Sequence, residues 1–251
     1  MKTLEHQTLL YDDDCPLCRV YTKGFISAGM LDENGKRPYC QLSEDEQVFI
    51  DLKRAANEIA LVDTKNKTVL YGIDSLLKVI GNSFPWMAVV GEWQPVNYFL
   101  KKLYKFISFN RKVIVPSIEN KELAFNCVPD FNVKYRWFYI FFVLLVASFF
   151  GFKAVNHFGY NLKIYEIWIL HAAVLIPNFL LVFKYDFKFF LNWLGNFATS
   201  LMLFSVGLLS MVFIDVLFKI PNMIFSTIYY LIIAFLLFDI LRRFRIAKAN
   251  V

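Results

Sequence analysis

Four stretches free of Lys, Arg, Asp and Glu occupy most of the second half of the chain: Trp137 to Phe152, Ile167 to Phe183, Phe189 to Ile214 and Ile220 to Phe238, of 16, 17, 26 and 19 residues. A bilayer crossing needs about 17 to 25 predominantly apolar residues, so the pattern predicts four transmembrane helices. The first run is short, but Tyr135, Arg136 and Lys153 flank it, and long basic side chains snorkel to the headgroups. The third is long, and its start, Phe189 to Asn196, reads as an interfacial lead-in to a span beginning near Ala198. A buried soluble core is the competing reading, and the short connections between the runs hold too little polar sequence to cover one.

Composition points the same way. The chain is 57% hydrophobic, above the roughly 45 to 50% of soluble domains. Its net charge of +6 is unevenly distributed: residues 1–133 carry 16 basic and 17 acidic side chains, residues 134–251 carry 11 and 4. The basic excess belongs to the apolar half, so no basic surface is left on the first half to grip nucleic acid. With four crossings, Lys121, Lys134, Arg136, Lys184, Lys188, Arg242, Arg243, Arg245 and Lys248 share the side of the termini, against Lys153, Lys163 and Lys219 on the other. Nine against three predicts an integral protein of a bacterial inner membrane with both termini and the soluble domain in the cytoplasm. No export signal is read at the start of the chain. In a reducing compartment, paired cysteines are redox-active or metal-binding more often than structural.

The first half is punctuated as an α/β domain. Thr8 to Tyr11 is a short apolar run ending in three aspartates; Cys15-Pro16-Leu17-Cys18 then opens a helix with Leu17, Val20, Tyr21, Phe25 and Ile26 at helical spacing. Pro38 to Leu42 reads as a second strand, and Ser43 with Glu46 as a capping box for a helix to about Ala56. Glu58 to Val62 and Thr68 to Tyr71 read as a hairpin, with helices following from Gly72, around Phe84 to Val90 and over Val96 to Phe109. The order βαβαββα is that of a thioredoxin-like fold. The expected organisation is a thioredoxin-like domain over 1–115, a linker over 116–133 and a transmembrane domain of four helices over 134–251.

Two cysteines three apart at a helix start share one face, and the first meets the positive end of the helix dipole. Cys15 is therefore the expected attacking sulfur and Cys18 the resolving one. Asp12, Asp13 and Asp14 oppose a thiolate at Cys15 unless they point away. Thioredoxin-like oxidoreductases usually carry a cis-proline before the third strand, and no proline occurs from Gln41 to Phe84. A structural pair and a metal site stay open as alternatives; a zinc site needs two further ligands, for which Cys40 and His6 are the nearby candidates. Cys40 on a strand reads as a buried small hydrophobe. Cys127, just ahead of the first apolar run, is a candidate internal partner for the pair.

The run Tyr11-Asp12-Asp13-Asp14-Cys15-Pro16-Leu17-Cys18-Arg19, the helix start Gly72 to Leu77, and Asn110-Arg111 closing the last soluble helix resemble the DCC family of thiol-disulfide oxidoreductase-like proteins over about residues 7 to 115. In that family an aspartate lies three residues before the first cysteine of a Cys-Pro-x-Cys pair. The resemblance thus implies a catalytic set of Asp12, Cys15 and Cys18, with protein or small-molecule thiols and disulfides as partners and neither cofactor nor metal. Two other functions remain open: a non-enzymatic subunit of a membrane complex that uses the domain for docking, and a redox protein coupled to a lipid quinone. Glu166, Asp215 and Asp239 read as interfacial anchors or ion-pair partners, and His171, the candidate for an interior role, as a hydrogen-bonding partner of a neighbouring helix.

Overall fold

A computed structural model describes residues 2–118, 130–159 and 161–250. Lys121 and Cys127 lie outside the described residues. The chain divides into two compact units, Met1–Asn132 and Val133–Val251.

The first unit runs β1 (Gln7–Tyr11), α1 (Pro16–Ser27), β2 (Lys36–Pro38), a 3₁₀ turn (Tyr39–Gln41), α2 (Glu44–Gln47), α3 (Leu52–Asn57), β3 (Ala60–Asp63), β4 (Thr68–Tyr71), α4 (Ile73–Ser83), α5 (Pro85–Glu92) and α6 (Gln94–Ile114). The strands form one sheet in the order β2-β1-β3-β4. β1 is parallel to β2 and antiparallel to β3, and β3 pairs antiparallel with β4. Successive side chains on a strand point to opposite faces. Leu9, Tyr11 and Leu61 therefore join both site cysteines, Val79 and Tyr104 on one face, while Leu10, Ala60 and Val62 meet Tyr39, Ile50 and Leu52 on the other. This is the α/β thioredoxin-like architecture expected from the element order.

Two local expectations need correction. The predicted strand Pro38 to Leu42 ends at Pro38, which has no N–H to extend the ladder. The chain then turns, and the Tyr39 hydroxyl donates to the Leu52 carbonyl at 2.7 Å. The predicted helix from Ser43 to Ala56 is two short helices. The capping box forms, with the Ser43 N–H donating to Glu46 Oε2 at 3.0 Å. Asp51 then starts a new helix by accepting the Arg54 N–H at 3.0 Å, and between the two Ile50 turns into the core. Gly72, which caps α4, has φ 61° and ψ −132°, and a Cβ there would lie 2.9 Å from Glu58 Oε2. The backbone angles are what require glycine, since the Glu58 carboxylate could swing away from a Cβ.

The second unit comprises α7 (Val133–His157), α8 (Ile164–Leu175), a 3₁₀ segment (Ile176–Phe183), α9 (Phe187–Phe218) and α10 (Asn222–Ala249). Among the described residues, α7, α9 and most of α10 are long and apolar enough to cross a membrane. The second predicted crossing is not one long helix. Pro177 lacks an N–H and its ring crowds the preceding turn, so the α-helix closes at Leu175 and the chain continues as a 3₁₀ segment. The third run and its predicted lead-in fall in a single helix. Asp186 caps α9 by accepting the Phe189 N–H at 2.8 Å, and Phe189, Phe190, Leu191, Trp193 and Leu194 are buried parts of one 32-residue helix.

Glu166, His171, Asp215 and Asp239 each have a partner. Asp239 on α10 is a buried ion-pair partner, as one of its two readings had it, accepting from Ser200 and Arg243 at 2.7 Å each, with Arg243 reaching Asn196 of α9 at 3.2 Å. His171 Nδ1 meets Ser148 Oγ of α7 at 2.8 Å. Asp215 pairs with His157 at 3.1 Å, and Glu166 accepts the Lys163 N–H at 2.7 Å.

Candidate functional site

β1 delivers Asp12 and then Cys15 to the start of α1. Cys15 is the N-cap residue, in extended conformation, and Pro16 holds the first helical position, where a missing N–H costs nothing. The turn is fixed by its own backbone: the Cys15 N–H donates to the Asp12 carbonyl at 3.2 Å and the Asp14 N–H to Asp12 Oδ1 at 3.0 Å. Cys18 follows one turn into the helix. Neither residue is open to solvent, Cys15 being 0% and Cys18 4% exposed, and neither is in a disulfide.

The three aspartates separate. Asp13 turns outward to Arg19 at 3.2 Å. Asp12 turns inward, 6% exposed, and meets Arg111 of α6 at 2.9 Å, with Lys112 at 3.9 Å. Arg111 is itself buried and also donates to the Ala56 carbonyl at the end of α3 at 3.2 Å. A single guanidinium thus ties together the end of β1, the end of α3 and the last helix of the unit. The sequence flagged Asn110-Arg111 as part of a resemblance without assigning it a role, since the partner lies 99 residues away.

These groups set the chemistry of the two sulfurs. The Cys15 thiol is lowered to about 6, chiefly because Cys18 donates its S–H to the Cys15 sulfur. Burial opposes the shift, the Arg111 charge and the Cys18 amide reinforce it, and Asp12 works against it. Cys18 is pushed up, by that same donation to Cys15 and by burial, while Arg111 and Tyr21 pull it down. Burial alone would lower the Arg111 guanidinium, yet it is raised, because the Cys18, Asp12 and Cys15 charges face it. Beside Cys18 lies a cavity of about 10 Å³, room for about one water molecule, bordered by Asp12, Tyr21, Glu58 and Arg111.

In the position before β3, where thioredoxin-like oxidoreductases usually hold a proline, stands Ile59, packed in the same core cluster as both cysteines. Its N–H donates to the Tyr104 hydroxyl at 2.8 Å. Cys40 is not on a strand; it sits in the 3₁₀ turn on the opposite face of the sheet from the pair. Among the described residues, no three His, Cys, Asp or Glu side chains come together as a metal-ligating group.

The comparisons bear on the same residues. No curated protein and no solved structure matches the chain. Residues 9–115, which include the whole of this site, match the family described as DCC1-like thiol-disulfide oxidoreductase. The chain therefore carries a DCC1-like thiol-disulfide oxidoreductase domain, with a Cys15/Cys18 pair, followed by long apolar helices that suggest a membrane domain.

Proposed function

We propose that the protein is a membrane-anchored thiol-disulfide oxidoreductase in which Cys15 attacks and Cys18 resolves. The observation that carries this reading is the opposite displacement of the two thiols by one shared hydrogen bond, beside a buried guanidinium. The Cys15 thiolate attacks one sulfur of a partner disulfide; a Cys15–partner S–S bond forms, the partner's own S–S bond breaks, and its second sulfur leaves as a thiolate. Once Cys15 is in the mixed disulfide it no longer accepts the Cys18 proton, so the main cause holding Cys18 protonated is gone. The proton leaves toward the cavity bordered by Asp12 and Glu58, and Cys18 attacks the Cys15 sulfur. The Cys15–Cys18 disulfide forms and the partner departs as its second thiol, two electrons having passed to it; the reverse sequence oxidises a partner dithiol through the same atoms.

Asp12 is a positioning residue in this scheme, since its carboxylate is taken up by Arg111 and the Asp14 N–H rather than by a sulfur. The burial of Cys15 requires the Asp13–Pro16 turn to open for a partner to enter. A Cys18→Ser variant in reducing cells should accumulate mixed disulfides on Cys15, with a protein or glutathione, that a Cys15→Ser variant lacks. Equal capture by both variants, or none by either, would favour the non-enzymatic docking role.

The topology belongs to the same proposal. The second apolar segment has 12 residues of α-helix and 8 of 3₁₀ helix, which together extend about 34 Å at roughly 1.5 and 2.0 Å per residue, enough for a hydrocarbon core of about 30 Å. Four crossings follow, with both termini and the oxidoreductase domain in the cytoplasm. A reporter fused after Val251 should then be cytoplasmic and a cysteine placed within residues 156–161 should label from outside; a C-terminal reporter found outside would reduce the crossings to three.

A further inference from the structure

Helix α5 has its apolar stripe on the wrong side for a core. Gly81 and Gly91 bring α4 and α5 into close packing: a Cβ at Gly81 would stand 2.6 Å from the Ala88 Cβ, and one at Gly91 would stand 2.4 Å from Leu77. Ala88 and Gly91 therefore mark the inward face of α5. Trp86, Val89, Val90 and Trp93 follow at i, i+3, i+4 and i+7, on the opposite face, and are 65, 72, 50 and 64% exposed. On α6, which packs beside α5, Tyr98 and Phe99 are exposed as well, at 67 and 64%. Inward positions of α6 are taken by Tyr104, Ser108 and Arg111. Two tryptophans, a tyrosine and a phenylalanine left in water on adjacent short segments are not explained by the fold.

The charge beside these aromatic residues is mainly basic: Glu92 is exposed at the end of α5, Arg111 and Lys112 are turned inward to Asp12, and Lys102 and Lys105 are the exposed lysines of α6 not paired with Asp74. Lys102 and Lys105 are exposed beside the aromatic residues, the Lys102 Nζ lying 5.3 Å from the Tyr98 ring centre, and Lys101 is paired with Asp74 at 3.1 Å. Amphipathic aromatic side chains with a lysine fringe match the boundary between anionic headgroups and acyl chains. The same polypeptide carries long apolar helices suited to a bilayer, so a lipid surface is present at high effective concentration.

We propose that the α5–α6 face docks the oxidoreductase domain onto the surface of an anionic bilayer, with Trp86 and Trp93 at headgroup depth. The test uses the full-length protein, one copy per nanodisc, in phosphatidylcholine and phosphatidylserine brominated either near the headgroup or deep in the chains. Trp137, Trp168 and Trp193 lie in the apolar helices, so subtracting the emission of a Trp86→Phe/Trp93→Phe variant isolates the two surface tryptophans. Their emission should be quenched, more by the shallow bromines than by the deep ones. Each of Lys102→Gln and Lys105→Gln should lower the docked-to-free ratio about fivefold, the factor for one basic residue near an anionic surface. Emission untouched by either lipid overturns the proposal. Quenching or shielding that appears only when two copies share a disc also overturns it, and assigns the face to self-association.

Discussion

Arg111→Met should loosen the first unit by about 3–5 kcal/mol, the range for breaking a buried ion pair by removing one partner. The Asp12 carboxylate would remain 6% exposed with its guanidinium gone, and the Ala56 carbonyl would lose a donor. The chain has two units, so a single unfolding curve does not isolate this loss. Hydrogen exchange of the β1 and β3 amides in the full-length protein does, and it should accelerate by about 10²- to 10⁴-fold where those amides exchange through opening of the unit. Acceleration below about tenfold would show that the pair contributes little. Asp12→Asn/Arg111→Met should recover part of the loss, because neither member of the 2.9 Å pair is left charged, while Lys112, 3.9 Å from the same carboxylate, loses its acidic neighbour. Chemistry should not recover with it. Arg111 outranks Asp12 among the influences on Cys15, so deleting both leaves the thiol above its native value. A variant that is partly restored in stability but not in thiol acidity separates the role of Arg111 in positioning charge from its role in the core.

That pair also marks where the sequence stops being legible. Features that depend on neighbours in the chain could be read directly. Pro16 at the first position of α1, the Ser43–Glu46 capping box and the β4 span Thr68–Tyr71 all appear as the local pattern implies, because each is decided within a few residues. The capping box illustrates the limit, since it forms but governs only α2; Asp51 starts the next helix and the core takes Ile50, which a propensity argument does not weigh. Three consecutive aspartates look alike in sequence, and only the fold sends Asp13 to a surface arginine and Asp12 to a buried one. In the second unit the charge-free runs locate the helices well but not their ends, since α7 extends through Arg136 and Lys153. Asp239 illustrates the same point: Arg243, four residues on, was visible as a neighbour, while Ser200 and Asn196, which complete its burial, lie on another helix.

Alkylation of Cys15 by iodoacetamide should follow a titration with its midpoint at about 6, and Cys18 should lag behind it throughout the neutral range. An ordinary thiol has a pKa of about 8.5 and is only a few per cent ionised at pH 7, whereas a thiol at about 6 is mostly thiolate there. Below pH 6 the rate should fall about tenfold per unit, as the thiolate fraction does. Burial acts on a different part of the curve. With Cys15 0% exposed, the plateau above pH 7 reports how often the Asp13–Pro16 turn opens, and it should lie below the rate of an exposed thiolate without moving the midpoint. Stability of the reduced form follows the same group. A folded-state pKa below the unfolded one contributes stability that is complete above about pH 8.5 and is lost as pH falls through about 6. About 1.4 kcal/mol of it remains at pH 7. The disulfide form has no thiolate to stabilise, so this contribution makes the pair more oxidising and should shrink as the solution is acidified. A midpoint near 8.5, with Cys15 and Cys18 reacting alike, would remove the electrostatic basis for assigning the attack to Cys15. In Asp12→Asn/Arg111→Met the midpoint should instead move upward while the difference between the two cysteines persists, because the hydrogen bond between them, the largest cause of that difference, does not depend on the guanidinium.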